Sequence, residues 1–316
     1  MMHTRSGSQS PILDTQAKST PPLSFCFHGM GCCVTILPDG ESHYGDLLAR
    51  QLAYAWRHFV TPVADPVLRI WVHLCDDPHR HSLPSGPADL HYDSTSYVAV
   101  TRLDGMEAHL ALERAHTAGT LWRDVLTVES TCVRALWLAL LASGRGLLLH
   151  ASSVMKDGRA LAFSGPSDSG KTTFAWMAAA AGFTVIHDEL TPILLDLDAT
   201  PPIVRAPPIY SRYFQTQPVS ASLAAVFFVA PAEETNITRL PISAATALLM
   251  QHGGIRNVRY RDEQDPTGQG ILSHMAMCSR VAAEVPCYRW DYRLDADLPR
   301  LAEQHLASTG CRNAGT

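Results

Sequence analysis

The chain has 316 residues, 46% of them hydrophobic and 17% charged, enough apolar material for more than one average domain. Its formal net charge of −5 argues against a nucleic-acid partner, which calls for a basic face. No apolar run reaches the roughly 18 residues that a membrane-spanning helix needs, so no membrane association is expected.

Residues 1–22, MMHTRSGSQSPILDTQAKSTPP, are polar, rich in Ser, Thr and Pro, and without the apolar stretch of a secretory signal; they are expected to form a disordered leader. Residues 23–116 read as a small α+β domain with a core of its own. FCFHGMGCCVTIL predicts two strands meeting near Gly29–Gly31. GDLLARQLAYAWRHFV sets Leu47, Leu48, Leu52, Trp56 and Phe59 at helical spacing. VLRIWVHLC and SYVAVTRLD read as strands, separated by a loop over Asp76–Pro87 that Pro78, Pro84 and Pro87 punctuate.

Residues 117–296 read as an α/β core. Ser130–Leu141 predicts a helix and Leu147–Val154 a buried strand. Lys156–Asp157–Gly158 is a turn, because Asp-Gly is a strong hairpin signal, and Ala160–Ser164 is the returning strand. Thr172–Ala181 is an Ala-rich helix ended by Gly182, followed by a strand over Phe183–Ile186. Further strands are expected at Pro192–Leu197 and Ala224–Ala230. A helix over Ser243–Gln251 is expected to be capped by Ser243 and stopped at Gly253–Gly254, with another helix over His274–Ala283. Cys287–Leu294 predicts a closing strand, and residues 297–316 a C-terminal helix and tail. Trp137 and Trp176 lie on apolar helix faces and read as core. No internal repeat is present. The eight cysteines (Cys26, Cys32, Cys33, Cys75, Cys132, Cys278, Cys287, Cys311) form no CxxC pair, which fits a reduced, cytoplasmic compartment.

The chemistry concentrates in one stretch. Gly165, Pro166, Ser167, Asp168, Ser169, Gly170, Lys171 and Thr172 fit G-x-x-x-x-G-K-[ST] at every position, after a predicted strand and before a predicted helix. From average residue usage, a chance match somewhere in a chain of this length is about one in a hundred. Glycines let the backbone wrap so that successive N–H groups point at phosphate oxygens, and the helix adds its N-terminal dipole. In that role Lys171 reaches the β- and γ-phosphates and the Thr172 hydroxyl sits on Mg²⁺. Asp188 and Glu189 end the very next strand, so both carboxylates are expected to open onto the loop. One can help hold Mg²⁺, and one can accept a proton from an attacking hydroxyl. His150, in the strand before the loop, is placed to lie beside the strand end bearing Asp188.

The order His150, glycine-rich loop, then an acidic pair after the next strand resembles the catalytic domain of HPr kinase/phosphorylase and its HPr-kinase-like relatives, over about 134–192. The resemblance implies a P-loop kinase core of the HPr kinase / PEP carboxykinase-like type behind a smaller N-terminal α+β domain. It implies ATP and Mg²⁺ as cofactors, with Thr173 beside Lys171 and Thr172 in the nucleotide site. It also implies Asp188, His150 and Lys171 as catalytic residues, and Thr172, Asp188 and Glu189 as metal ligands. Asp188 is then the base that activates a serine hydroxyl. Two departures are visible: Asp168 stands where the family usually has glycine, and Thr172–Thr173 where it has Ser–Glu. In size and plan the chain is similar to the members associated with lasso-peptide pathways, which phosphorylate a precursor serine. The implied partner is a peptide or small-protein acceptor, with homo-oligomers possible for such a kinase. A small-metabolite hydroxyl kinase and a nucleotide-binding module without transfer activity stay open as alternatives.

Weaker signals lie elsewhere. His73, Cys75, Asp76, Asp77, His79 and His81 are metal-ligand types without a recognised zinc spacing, and read as a polar loop. Arg205 and the run 256–261 offer guanidinium groups for a phosphate or an acidic substrate, though solvated surface is the simpler reading.

Overall fold

The computed structural model describes residues 23–27, 30–37, 43–66, 68–76, 92–94, 97–102, 107–113, 121–142, 144–195, 201–209, 211, 213–253, 269–293, 297–298 and 300–304. The expected leader, Asp77, His79, His81, the arginine run 256–261 and the tail past 304 lie outside them. The protein is a mixed α/β structure built on two sheets with both parallel and antiparallel pairs.

The first sheet comprises β1 (Leu23–Phe27), β2 (Met30–Leu37), β3 (Leu68–Cys75), β4 (Tyr92–Ser94), β5 (Tyr97–Arg102) and β6 (Glu107–Glu113), in the order β1-β2-β3-β6-β5-β4. β2, β3 and β6 run parallel. Parallel neighbours need a crossover, and α1 (His43–Ala55) supplies the one between β2 and β3. Leu48 and Leu52 of α1 pack with Val34, Ile70 and Val72.

Next comes α2 (Leu121–Ala142), which begins nine residues before the helix expected at Ser130. It receives Trp56 Nε1 on Glu129 at 3.2 Å, and Val125, Val128, Cys132 and Leu136 are buried along it. A separate N-terminal core was expected. The buried residues instead run continuously from Ile70 and Leu110 through α2 to Leu147 and Leu149 of the second sheet.

The second sheet contains β7 (Gly146–Lys156), β8 (Arg159–Ser164), β9 (Thr184–His187), β10 (Leu190–Leu194), β11 (Ile203–Arg205), β12 (Ser220–Pro231), β13 (Asn236–Arg239) and β14 (Cys287–Tyr292). Its order is β11-β10-β7-β8-β12-β14-β13, with β9 also on β7. β11 additionally pairs with β12, so five strands close a ring. β8, β12 and β14 are parallel, whereas β7 and β8 form a hairpin whose turn residues Asp157 and Gly158 have φ of 51° and 73°. Two positive φ values are what a two-residue type I′ turn requires. β14 was expected to close the sheet but lies between β12 and β13; the edge strand β13 has the burial pattern of a solvated segment and gives no apolar alternation to read.

One face of this sheet belongs to α3 (Lys171–Ala180). Phe174, Ala175 and Ala178 pack there on Val154, Phe163, Phe227 and Trp290. The phenyl ring of Phe174 meets Trp290 and Tyr292 edge-on, with centroids 5.1 and 4.9 Å apart. α3 ends in a complete Schellman motif: Phe183 N–H bonds the Ala178 carbonyl, Gly182 N–H bonds that of Ala179, and Gly182 has φ 85°. The other face packs on α2, α4 (Ile242–His252) and α5 (Gln269–Glu284). α4 does not begin at Ser243: Pro241 is its N-cap residue and no side chain caps it. Trp176 is not core either; the residue is 51% exposed on the outer face of α3, beside Tyr213 and Phe214. Among the described residues no helix is long and apolar enough to cross a membrane.

Candidate active site

Side chains alternate between the faces of a strand. On β7, Val154 packs against α3, and Ser152 donates its hydroxyl to the Lys171 carbonyl at 2.8 Å. His150 therefore shares that face, directly opposite Leu190 of β10, and is half-buried. Register explains why the acidic pair comes to the same place. β9 pairs with β7 at Ser153–Met155, β10 pairs with it at Gly146–His150, and the corner between them carries Asp188 and Glu189. The corner is bonded to β7 by Ala151 N–H on the Glu189 carbonyl at 3.0 Å. On the opposite edge of β7, Ala151 pairs with Ser164, the last residue before the glycine-rich loop. One strand thus spaces the loop from the acidic corner.

The loop has the close contacts that only glycine permits. A Cβ on Gly170 would collide with the Tyr292 hydroxyl, and one on Gly165 would sit 2.8 Å from the Val229 carbonyl. Gly170 has φ 86° and Asp168 φ 64°. The left-handed conformation at 168 is one that glycine adopts freely and that aspartate is among the few other residues to tolerate. Tyr292 donates its hydroxyl to the Ser169 carbonyl at 3.0 Å, tying β14 to the loop. Lys171 is buried and curls back, donating Nζ to the carbonyls of Gly165 at 3.0 Å and Pro166 at 2.7 Å. α3 starts at Lys171 without a side-chain cap, so the amides of its first turn remain directed at the loop mouth.

The corner is built around a residue that the motif reading passed over. His187 is 1% exposed, and its Nδ1 accepts the Glu189 N–H at 3.1 Å and the Leu190 N–H at 3.0 Å. A ring nitrogen that accepts two hydrogen bonds carries no proton, so the imidazole is neutral. Burial lowers its pKa to about 4 against the opposing pull of Asp188. The 3.7 Å approach of Asp188 Oδ1 to His187 Nδ1 is therefore a contact between two acceptors rather than an ion pair. Asp188 is 6% exposed and its Oδ1 has no hydrogen-bond partner among the described residues. Ser169 Oγ, inside the loop, is likewise buried without one. Glu189 faces solvent but is crowded by protein; burial raises its pKa first, the Asp188 charge raises it further, and Lys171 opposes both. Glu189 thus feels the charges of both Asp188 and Lys171.

The residue types fit Mg²⁺. Mg²⁺ takes hard oxygen ligands, commonly one or two carboxylates with phosphate and water completing the shell. The orphaned Asp188 Oδ1, Glu189 and the half-buried Thr172 at the start of α3 offer oxygens of that type. Among the described residues no group of three His, Cys, Asp or Glu side chains forms a cage of its own, and His73, Cys75 and Asp76 hold no such site. His73 instead meets His109, with Nε2 3.2 Å from Nδ1. Arg205, on β11, has its Nε buried without a hydrogen-bond partner among the described residues.

No protein-family model matches the chain. Comparison with curated proteins also finds no match. Among solved structures, the chain is similar to the Hpr(Ser) kinase/phosphatase from Coxiella burnetii, with a TM-score of 0.31 and 9% identity over 53% of this chain and 99% of that one. So slight a likeness carries no weight for activity.

Proposed function

We propose that the protein is an ATP- and Mg²⁺-dependent phosphotransferase that moves the γ-phosphoryl group to a hydroxyl, that of a serine in a peptide or small protein. The observation that carries this reading is the pairing, across one strand, of the G-x-x-x-x-G-K-T loop with a buried carboxylate whose Oδ1 has no donor among the described residues. In this account the loop amides and the first turn of α3 hold the phosphates. Lys171 leaves the Gly165 and Pro166 carbonyls to neutralise the β- and γ-oxygens, a short swing for a side chain already inside the loop. Thr172, Asp188 and Glu189 hold Mg²⁺, which when bound draws charge off the transferring group. Asp188 accepts the proton of the acceptor hydroxyl as its oxygen bonds to the γ-phosphorus and the bridging oxygen leaves with the β-phosphate. His150, on the same face of β7, supports that carboxylate.

Serine specificity rests on the HPr-kinase-like order of residues, and the acceptor class is open to direct test. Purified protein with Mg²⁺ and γ-labelled ATP is incubated with a host extract split into protein, peptide and metabolite fractions, alongside Asp188→Asn. Label on serine in the peptide or protein fraction, absent with the variant, is the expected result. Label confined to metabolites would make the protein a small-molecule kinase. ATP binding without any label transfer would make it a nucleotide-binding module.

A further inference from the structure

We propose that His187 is the positioning residue of the acidic corner: by accepting the Glu189 and Leu190 amides, its imidazole fixes the turn that presents Asp188 and Glu189 as metal ligands. This inference rests on the phosphotransferase reading for its function, though not for its geometry. Turns of this kind, in which a side chain accepts amides two and three residues ahead, are usually made by Asp, Asn, Ser or Thr. Aspartate at 187 would add a third negative charge beside Asp188 and Glu189. A neutral imidazole supplies the same acceptor with no charge, and Nδ1 stands at 3.1 and 3.0 Å from the two nitrogens it serves.

Two features tie this contact to the metal position as well as to folding. His187 Nδ1 is spent on the backbone, so it donates nothing to Asp188 Oδ1, 3.7 Å away, which stays available for a cation. The turn it closes is also the only chain between β9, anchored at Ser153, and β10, anchored at His150. A change of one residue's conformation there would turn a carboxylate away from Lys171. Outer-shell partners of metal ligands typically contribute about 10- to 100-fold in metal affinity.

The test compares wild type, His187→Leu, which removes the acceptor, and His187→Asn, whose amide oxygen occupies the place of Nδ1. Amide hydrogen exchange at Glu189 and Leu190 is read in metal-free protein. Mn²⁺ affinity is read by electron paramagnetic resonance with saturating ATP, and ATP affinity is read separately in chelator. Loss of both protections in the leucine variant, a drop in Mn²⁺ affinity of about 10- to 100-fold at unchanged metal-free ATP affinity, and recovery of both in the asparagine variant are expected. Deprotected amides with wild-type Mn²⁺ affinity, in either variant, would reduce His187 to a packing role and overturn the proposal. Should the leucine variant fail to fold, the asparagine variant decides: retained protection and retained Mn²⁺ affinity support the proposal, and retained protection with lost affinity overturns it. A wild type that binds neither ATP nor Mn²⁺ would instead remove the phosphotransferase reading, and this role with it.

Discussion

His187 makes the stability of the protein depend on pH in a way that can be worked from its surroundings. Its folded pKa, about 4, lies below the ordinary value of 6.5, because burial disfavours the imidazolium. A depressed histidine pKa contributes stability that is fully present above the ordinary value and is lost as pH falls through 6.5 towards the folded pKa. Linkage with these two values gives a loss of about 2 kcal/mol between about pH 7.5 and about pH 5, approaching a limit of about 3 kcal/mol in stronger acid. His187→Asn keeps an acceptor for the Glu189 and Leu190 amides but does not titrate. Urea unfolding of metal-free protein, followed by circular dichroism at several pH values, should show the stability difference between wild type and variant shrinking by about that amount on acidification. Titratable groups that do not couple to position 187 contribute equally to both proteins and cancel in the difference. A difference that stays constant from neutral pH to about pH 5 would refute the neutral, doubly accepting imidazole.

Other expectations follow from single contacts. Gly170→Ala should abolish phosphate binding and destabilise by at least about 1–2 kcal/mol from its left-handed backbone alone, with partial recovery when Tyr292→Phe removes the colliding hydroxyl; calorimetry with tripolyphosphate reads both. Ser152→Ala removes the hydroxyl bound to the Lys171 carbonyl and should lower unfolding free energy by about 1 kcal/mol in urea melts. Gly182→Ala meets no steric obstacle yet must adopt φ 85°, so it should cost about 1 kcal/mol, and Gly182→Asn less. Asp168→Gly relieves the same backbone demand within the loop and should leave stability unchanged or raise it by up to about 1 kcal/mol in thermal melts.

What the sequence made legible was local. The Asp157–Gly158 hairpin, the Gly182 stop and the loop from Gly165 to Thr172 each follow from residues adjacent in the chain, whose backbone demands have few solutions. β11 and β13 are three and four residues long, with β13 largely exposed, too short for a period-2 pattern to stand out. Pro241 took the cap that Ser243 was expected to fill, because a serine near a helix start marks the region but not the residue. Within the site, Lys171 and the Asp188–Glu189 corner could be placed near each other from strand order alone. Tyr292 could not: its bond to the Ser169 carbonyl depends on β14 lying two strands from β8, a pairing with no local signature. Ser152 was within reach, since it stands two residues from His150 on the same face of β7. His187 was passed over because a histidine that caps a turn has no motif of its own; only its buried Nδ1 and two amide partners reveal it. Trp176 looked like core by helical spacing, but the inner face of α3 is filled by Phe174, Ala175 and Ala178, which leaves the indole outside.

The most direct test of the account measures ATP binding and γ-phosphoryl release together, for wild type, Lys171→Ala and Asp188→Asn, with Mg²⁺ present and the acceptor or water receiving the group. The account predicts weakened binding in the lysine variant. In the asparagine variant it predicts near-normal binding with turnover reduced about 10²- to 10⁴-fold. Full turnover by Asp188→Asn, or a wild type that does not bind ATP, would contradict it.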